Sequence, residues 1–264
     1  VTLAGGTAVH YICDEQSDWN PDIDDIKPKI NDRTKAIVII NPNNPTGALY
    51  SDELLLEIAD VARRHGLVIF ADEIYDRLLM DGAKHSSIAA LAPDVPVVTF
   101  NGLSKSRIIC GLRCGWMTVS GLNTEEGKVL KTVLETLSSV RLCSNTAAQF
   151  CVPAALADPA YTIEMMSPGG RIYERRKATI DAVNASECLS VIKNTGALYC
   201  FVRIDPDRVH IHGGDDKLFA MELVREKHIM VVPGSGFDYP KPNYFRIVML
   251  PEPKELARAV GEID

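Results

Sequence analysis

The feature that most constrains the fold is a strand–helix–strand pattern between residues 36 and 71. Ala36–Ile40 is a continuous apolar run ending at Asn-Pro, which is typical of a buried strand. Ser51 then precedes a segment with apolar residues at helical spacing, and Gly66 follows that segment, as expected for helix caps. Leu67–Ala71 is a second apolar run. Because strands joined by a crossover helix pair in parallel, the pattern predicts an α/β fold with a mostly parallel sheet.

The rest of the chain predicts the same large domain followed by a smaller one. Strands are predicted at Val97–Phe100 and Gly115–Val119, and helices over 125–142 and 146–157. The turn cluster Ser167–Gly170 indicates a boundary, so we predict a large domain over 1–166 and a small α+β domain over 167–264. The small domain is predicted to contain a helix from Arg171, strands Leu198–Ile204, Ile229–Val232 and Tyr244–Met249, and helices Lys217–Lys227 and from Glu255.

Composition excludes several classes of partner and site. The net charge is −7, whereas a nucleic-acid-binding protein usually has a basic face, so no nucleic acid is expected. The chain has no apolar run of about 18 residues, so no membrane partner is expected either. Seven cysteines without a C-x-x-C pair predict neither disulfides nor zinc, and free thiols fit a reducing cytoplasm. His210 and His212 alternate, but without a third ligand we interpret them as a solvated pair and predict no metal site.

Three polar clusters follow three of the predicted strands. They read N-P-N-N-P-T-G at 41–47, D-E-I-Y at 72–75 and N-G-L-S-K at 101–105. Ligands of open α/β sheets bind beyond the carboxyl ends of the strands. The sequence therefore predicts a shared crevice lined by Asn44, Asp72, Tyr75, Ser104 and Lys105.

Each cluster also has a simpler interpretation. Asn-Pro and Pro-Thr-Gly are common turn sequences, and a lysine is usually a solvated surface residue. Asp72-Glu73 resembles the acidic end of a Walker-B strand, but that reading requires G-x-x-x-x-G-K-[ST], which the chain lacks. The three clusters in this order are harder to explain as coincidence.

Together with L-S-K-x₅-G-L-R-C-G-W at 103–116, these motifs resemble the fold type I aminotransferases, which depend on pyridoxal phosphate (PLP). The resemblance covers essentially the whole chain. Within the family it is greatest to bacterial glutamate–pyruvate (alanine) aminotransferases, at R-L-C-S-N (141–145), P-G-G-R-I-Y-E (168–174), T-G-A-L-Y (195–199) and F-R-I-V-M-L (245–250). It implies a homodimeric transaminase that converts L-alanine and 2-oxoglutarate to pyruvate and L-glutamate.

The resemblance also implies a role for each site residue. Lys105 would form the imine with the aldehyde of PLP and later move the α-proton of the substrate. Asp72 would pair with the pyridine nitrogen, and Tyr75 and Asn44 would donate hydrogen bonds to the ring oxygen. Ser104 and Arg113 would bind the phosphate of PLP. Arg246 and Asn44 would bind the substrate, with Arg246 holding its carboxylate. As a bare arginine in a strand, Arg246 would more often be a charge on an edge strand, but its match to the family favours the carboxylate role.

The chain departs from the family pattern at two positions and in its extent. Arg107 replaces a residue that is usually aromatic, and Gly102 replaces a frequent serine. Compared with the family, we also expect roughly the first third of a typical two-domain length to be missing, and the last helix to end early.

Three other functions remain open on the same fold. One is a PLP-dependent β-lyase, which would release ammonia and pyruvate without forming glutamate. A second is an aminotransferase acting on another amino acid. The third is the aminotransferase-like sensor domain of a transcription regulator, which a basic helix-turn-helix upstream would indicate.

Overall fold

The computed structural model describes residues 1–209, 211 and 214–264, so His210 and His212 lie outside the described residues. The chain forms two compact units. Unit 1 comprises Val1–Pro42, Leu49–Arg77 and Lys84–Thr162, and unit 2 comprises Asn43–Ala48, Leu78–Ala83 and Ile163–Asp264.

Unit 1 is built on a four-stranded sheet in the order β3-β4-β5-β6, with strands β3 Ala36–Ile40, β4 Val68–Asp72, β5 Val97–Gly102 and β6 Gly115–Ser120. The first three strands are parallel, and β6 runs antiparallel to β5. The remaining strands and helices of this unit are β1 Cys13–Asp14, β2 Asn20–Pro21, α1 Ile23–Ile26, α2 Asp52–His65, α3 Ile88–Leu91, α4 Leu103–Ser106, α5 Glu125–Arg141, α6 Thr146–Gln149 and α7 Cys151–Ala157.

The helix of the βαβ unit has the predicted ends. The Ser51 hydroxyl accepts a hydrogen bond from the Leu54 amide at 3.2 Å, which caps the first turn of α2. Gly66 ends the helix with a φ of 61°, where glycine is favoured because it has no Cβ. The apolar face of α2 is fully buried at Ile58 and Ala59. Burying this face stabilises the helix more than its intrinsic propensity does.

Unit 2 contains an antiparallel sheet in the order β7-β8-β10-β9, with strands β7 Leu189–Val191, β8 Tyr199–Ile204, β9 Val232–Pro233 and β10 Tyr244–Val248. Its helices are α9 Arg171–Ala185, α10 Asp216–Glu222, a π-helix over Leu223–Lys227 and α11 Pro253–Ile263. Helix α8, Ala160–Met166, spans the boundary between the units. Unit 2 thus combines an antiparallel sheet with helices, which is the predicted α+β class.

Two short segments belong to unit 2 although they precede the predicted boundary between residues 166 and 167. Their backbone bonds give the reason. The Gly196 amide donates to the Gly47 carbonyl at 3.0 Å, and the Met80 amide donates to the Thr195 carbonyl at 2.9 Å. One boundary in the sequence cannot describe units that each contain several separate segments. The predicted domain boundary itself stays a prediction.

Three predicted elements differ from the structure. The helix expected over 146–157 is two helices, because Pro153 cannot donate an amide hydrogen bond to the preceding turn. The helix expected at Lys217–Lys227 is α10 followed by the π-helix. The strand expected at Ile229–Val232 forms sheet bonds only at Val232–Pro233. Ile229 is nonetheless buried, and an apolar run does not distinguish a buried loop from a strand.

Across the described residues, no helix combines the length and the apolar character needed to cross a bilayer. No three or more His, Cys, Asp or Glu side chains in this part of the chain are grouped to hold a metal ion. All seven cysteines are free thiols.

Candidate active site

In unit 1 the predicted catalytic residues lie beyond the carboxyl ends of two neighbouring parallel strands. Asp72 is the last residue of β4 and pairs with Phe100 of β5, and Lys105 follows five positions later in α4. Burial raises the pKa of Asp72, while a hydrogen bond from the Ile74 amide and the charge of Lys105 act in the opposite direction. The Asp72 carboxylate and the Lys105 side chain are therefore close enough to interact electrostatically.

Helix α4 is fixed on both sides of Lys105. Leu103 is fully buried and packs with Cys114 and Ala148. Ser106 is also buried, and its backbone carbonyl accepts a hydrogen bond from the Thr162 hydroxyl at 2.7 Å. Because both flanking residues are held by packing and hydrogen bonds, Lys105 has a defined starting point for its long side chain.

The structure explains the glycine at position 102. A Cβ on Gly102 would lie 2.8 Å from the Cys114 carbonyl oxygen and 3.0 Å from the Gly115 Cα. Both atoms belong to the backbone next to or within β6, which is hydrogen-bonded to β5 and cannot easily move. The serine common in the family therefore does not fit here without a backbone shift.

We predict that Gly102→Ser destabilises the chain by about 1–3 kcal/mol, because it overpacks the β5–β6 contact. Urea unfolding would measure the change. Gly111→Ser is the matched control, since a Cβ at Gly111 would have no atom within 4 Å. Equal stability of the two variants would show that the close approach at Gly102 is not required.

Arg107, the second departure, has a structural role. Its guanidinium donates to the carbonyls of Ala155 and Asp158 at the end of α7. These carbonyls have no partner within the helix, and an arginine suits them because the helix end carries a partial negative charge. An aromatic residue could not make these bonds.

The other predicted residues of unit 1 are distributed around Lys105. Tyr75 is buried, and the Lys105 amine lies 6.0 Å from the centroid of its ring. Ser104 is partly buried in α4. Arg113 is exposed in a left-handed conformation with a φ of 52°, and it donates to the Cys110 carbonyl at 3.0 Å. The phosphate-binding role of Ser104 and Arg113 stays a prediction.

In unit 2 a tight loop carries Asn44. The Asn43 side chain accepts hydrogen bonds from the amide and hydroxyl of Thr46, at 3.3 and 2.9 Å. Gly47 has a φ of +71°, and a Cβ there would lie 2.6 Å from the Asn194 Cβ. The Pro-Thr-Gly sequence thus forms a turn, which is the simpler of the two interpretations of this motif. The same turn also presents the Asn44 side chain.

Arg246 lies in the interior of a sheet, not at its edge. It is in β10, between β8 and β9, and pairs with Phe201 on one side and Val232 on the other. Its Nη1 donates to the Asn44 Oδ1 at 2.8 Å. The interpretation as an edge-strand charge is therefore wrong.

Two aromatic rings fix the plane of the Arg246 guanidinium. Its Cζ lies 4.4 Å from the centroid of the Tyr199 ring and 5.0 Å from that of Phe237. Such contacts attract a cation and leave its edge for hydrogen bonding. The Arg246 Nε is buried and has no hydrogen-bond partner among the described residues.

Sequence reasoning missed the two aromatic residues. Tyr199 ends the T-G-A-L-Y motif, which resembles the alanine aminotransferases but does not by itself predict a contact with Arg246. Phe237 has no sequence signal, because the contact depends on how the turn after β9 folds back. The predicted set divides between the units, with Asn44 and Arg246 in unit 2 and the other five residues in unit 1. The predicted convergence of Asn44 with the unit 1 residues stays a prediction.

The chain has curated relatives that match over almost all of its length. It is 48% identical over 262 residues to the glutamate–pyruvate aminotransferase AlaA of Escherichia coli K12, covering 99% of this chain and 64% of that protein. It is 44% identical to the alanine aminotransferase of Mycobacterium tuberculosis H37Rv, covering 99% of this chain and 60% of the relative. The chain therefore spans less than two thirds of the length of these relatives.

Solved structures show the same fold. An aminotransferase from Escherichia coli matches with a TM-score of 0.93 and 46% identity, over 99% of this chain and 64% of that one. Alanine aminotransferase from Pyrococcus furiosus matches with a TM-score of 0.90 and 39% identity, over 98% and 64%. Residues 1–263 match the family described as aminotransferase class I and II. The chain belongs to the aminotransferase class I and II family, with the type I fold.

Proposed function

We propose that the protein containing this chain is a PLP-dependent aminotransferase that moves the amino group of L-alanine to 2-oxoglutarate. The observation that carries the proposal is the placement of Asp72 at the end of β4 and of Lys105 in α4, just beyond the end of the neighbouring strand β5. The similarity to proteins named glutamate–pyruvate and alanine aminotransferase supports the choice of substrates.

The residues of unit 1 fit PLP, the cofactor of this family. PLP presents an aldehyde, a basic ring nitrogen, a ring oxygen and a phosphate. Unit 1 supplies a primary amine at Lys105, a carboxylate at Asp72 and a phenol at Tyr75, with the amine 6.0 Å from the phenol ring centroid. A hydroxyl and a guanidinium, at Ser104 and Arg113, complete a donor set suited to the phosphate.

When bound, PLP supplies a ring that withdraws electrons from the α-carbon of the amino acid. Lys105 would hold the cofactor through its primary amine, and the free amine would move the α-proton of the amino acid as a general base. Asp72 holds the proton on the ring nitrogen, because a nearby carboxylate favours the cationic form of that nitrogen. Tyr75 donates a hydrogen bond to the ring oxygen.

Unit 2 supplies a carboxylate site for the substrate. The bond from Arg246 to Asn44 and the two flanking rings hold the guanidinium in one orientation. A substrate carboxylate suits the buried Nε, which has no partner among the described side chains and backbone groups. Two parallel hydrogen bonds would fix the amino acid as well as bind it.

We predict that Arg246→Ala weakens binding of both L-alanine and 2-oxoglutarate by about 10- to 100-fold, the value of a charge-assisted hydrogen bond. Steady-state kinetics with each substrate would measure KM. Arg258→Ala is the control, because Arg258 is an exposed helix residue that pairs with Glu262 of the same helix. An unchanged KM for both acids in the Arg246 variant would place the carboxylate site elsewhere.

Product analysis tests the function. The protein, supplied with PLP, L-alanine and 2-oxoglutarate, is expected to form pyruvate and L-glutamate in equal amounts. Ammonia with pyruvate, and no glutamate, would indicate the β-lyase instead. A panel of other amino donors with 2-oxoglutarate would test the preference for alanine.

We further propose that the protein acts in the cytoplasm and as a homodimer. The free cysteines support a reducing compartment, and the family resemblance supports two subunits. Sedimentation of the purified protein would test the second proposal.

A further inference from the structure

A buried pair of titratable groups begins at Glu73, the residue that follows Asp72. Glu73 is 5% exposed, and the His85 side chain is 9% exposed. Their nearest charged atoms, Glu73 Oε2 and His85 Nε2, are 4.0 Å apart. None of the roles described above uses either residue.

Both hydrogen bonds described for Glu73 are accepted by the same carboxylate oxygen. The Ser87 hydroxyl and the Ile88 amide both donate to Oε1, at 2.9 and 3.3 Å. Oε2 faces the imidazole of His85. If Glu73 carries a proton, Oε2 is therefore the oxygen that holds it.

The hydrogen bonds of His85 identify its tautomer. The imidazole is hydrogen-bonded to the backbone of Asn41, and Nε2 is buried without a partner in the described part of the chain. The bond to the Asn41 carbonyl must then come from Nδ1, which carries the hydrogen. Nε2 then carries no hydrogen, and it lies 4.0 Å from Glu73 Oε2, which is too far for a hydrogen bond.

The charges around the pair are mostly negative. The turn after β4 places Asp72, Glu73 and Asp76 within five residues, and α2 contributes Asp52, whose charge reaches His85. Asp76 accepts a bond from Asn101, but its Oδ1 is buried without a partner among the described groups. Positive charge acts on this turn from Lys105 at Asp72 and from Arg77 at Asp76, and Asp76 and His85 also act on each other's ionisation.

Three ionised carboxylates cannot readily share such a turn, because like charges and burial both disfavour ionisation. Burial, with the charges of Asp76 and Asp72, raises the pKa of Glu73 to about 7. Burial lowers the pKa of His85, and this outweighs the opposite effects of the Asp76 charge, the Asn41 backbone bond and the Asp52 charge. Both shifts favour a pair with a protonated acid and a neutral imidazole over an ion pair.

We propose that Glu73 is protonated at Oε2 and that His85 is neutral, so that the two buried groups form an uncharged pair and Asp72 remains the ionised carboxylate of this turn. Glu73 is thus a positioning residue that acts through Asp72. The link to catalysis rests on the proposed function, because Asp72 is assigned there to the ring nitrogen. The protonation state of the pair does not rest on that assignment.

Infrared and NMR titration of the chain without cofactor tests the pair. Below pH 7 we expect the C=O stretch of one protonated carboxyl group, which is lost as the pH rises through about 7. We expect the ¹⁵N shifts of His85 to show a neutral ring protonated at Nδ1. Glu73→Gln should remove the infrared band. Asp76→Asn should keep the band but move its loss to lower pH, because the charge of Asp76 contributes to the raised pKa of Glu73.

Each alternative outcome has a separate reading. A doubly protonated His85 at neutral pH, with no carboxylic acid band, would show an ion pair and overturn the proposal. A band lost in Asp76→Asn but kept in Glu73→Gln would move the proton to Asp76 and also overturn it. The wild-type spectra decide the question even if a variant does not fold. Because these spectra need neither PLP nor turnover, a failure of the proposed function would leave them unchanged.

Discussion

Replacing Lys105 by alanine is expected to lower amino transfer by at least roughly a thousandfold, because the variant loses both its covalent attachment to the cofactor and its general base. Alanine cannot form a bond to an aldehyde or accept the α-proton. Leu103 and Ser106, which anchor α4 on both sides, are untouched, so the fold should persist. Single-turnover measurement of glutamate formation, with circular dichroism to verify folding, would measure the effect.

Lys128→Ala is the control for this variant. Lys128 is also in unit 1, but its side chain is 60% exposed and pairs with Glu125 one helical turn away. Such surface pairs contribute little, so its turnover should equal that of the parent. Turnover in Lys105→Ala comparable to the control would remove Lys105 from the mechanism.

Asp72→Asn is the second change with a large expected effect. Asparagine keeps the oxygen that accepts the Ile74 amide at 3.1 Å, so the turn after β4 should retain its shape. The negative charge is lost, and with it the partner that holds a proton on the ring nitrogen. We expect the rate to fall by about 100- to 1000-fold, comparable with removal of one electrostatic contact to a transition state.

The matched control is Asp60→Asn. Asp60 is a carboxylate of α2 in the same unit, partly exposed and paired with Arg63 and Arg64. It has no proposed role at the site. If Asp72→Asn reacted within a few-fold of Asp60→Asn, the charge of Asp72 would not be needed for the reaction.

The parts of the fold that depend on local pattern were predictable. The bounds of β3 and both caps of α2 match the prediction, because apolar runs and cap residues act over a few positions. The antiparallel direction of β6 was not predicted. An apolar strand has the same alternation in either direction, so direction depends on how the chain returns to the sheet.

Candidate site residues could be named from the sequence only where a motif marks them. Lys105, Asp72 and Arg246 each stand in a recognisable motif, whereas Phe237 and His85 do not. Phe237 contacts Arg246 because of tertiary packing within unit 2, and His85 meets Glu73 because the loop after β4 turns back. Such contacts join residues whose spacing in the sequence carries no periodic signal.

The division of the chain into units shows the same limit. Asp81 accepts two hydrogen bonds from the buried Arg176, at 2.7 and 2.8 Å, which tie the segment Leu78–Ala83 to α9. The residues are 95 positions apart. A turn cluster at 167–170 could indicate where the chain leaves the first unit, but not which earlier segments return to the second.

The attachment point of the cofactor is the most direct test of the account. The protein would be incubated with PLP, reduced with borohydride to make any covalent bond permanent, digested and mapped by mass spectrometry. We predict the added pyridoxyl phosphate mass on the peptide containing Lys105, at one site per chain. The same label on another lysine, or no label on Lys105, would contradict the central claim.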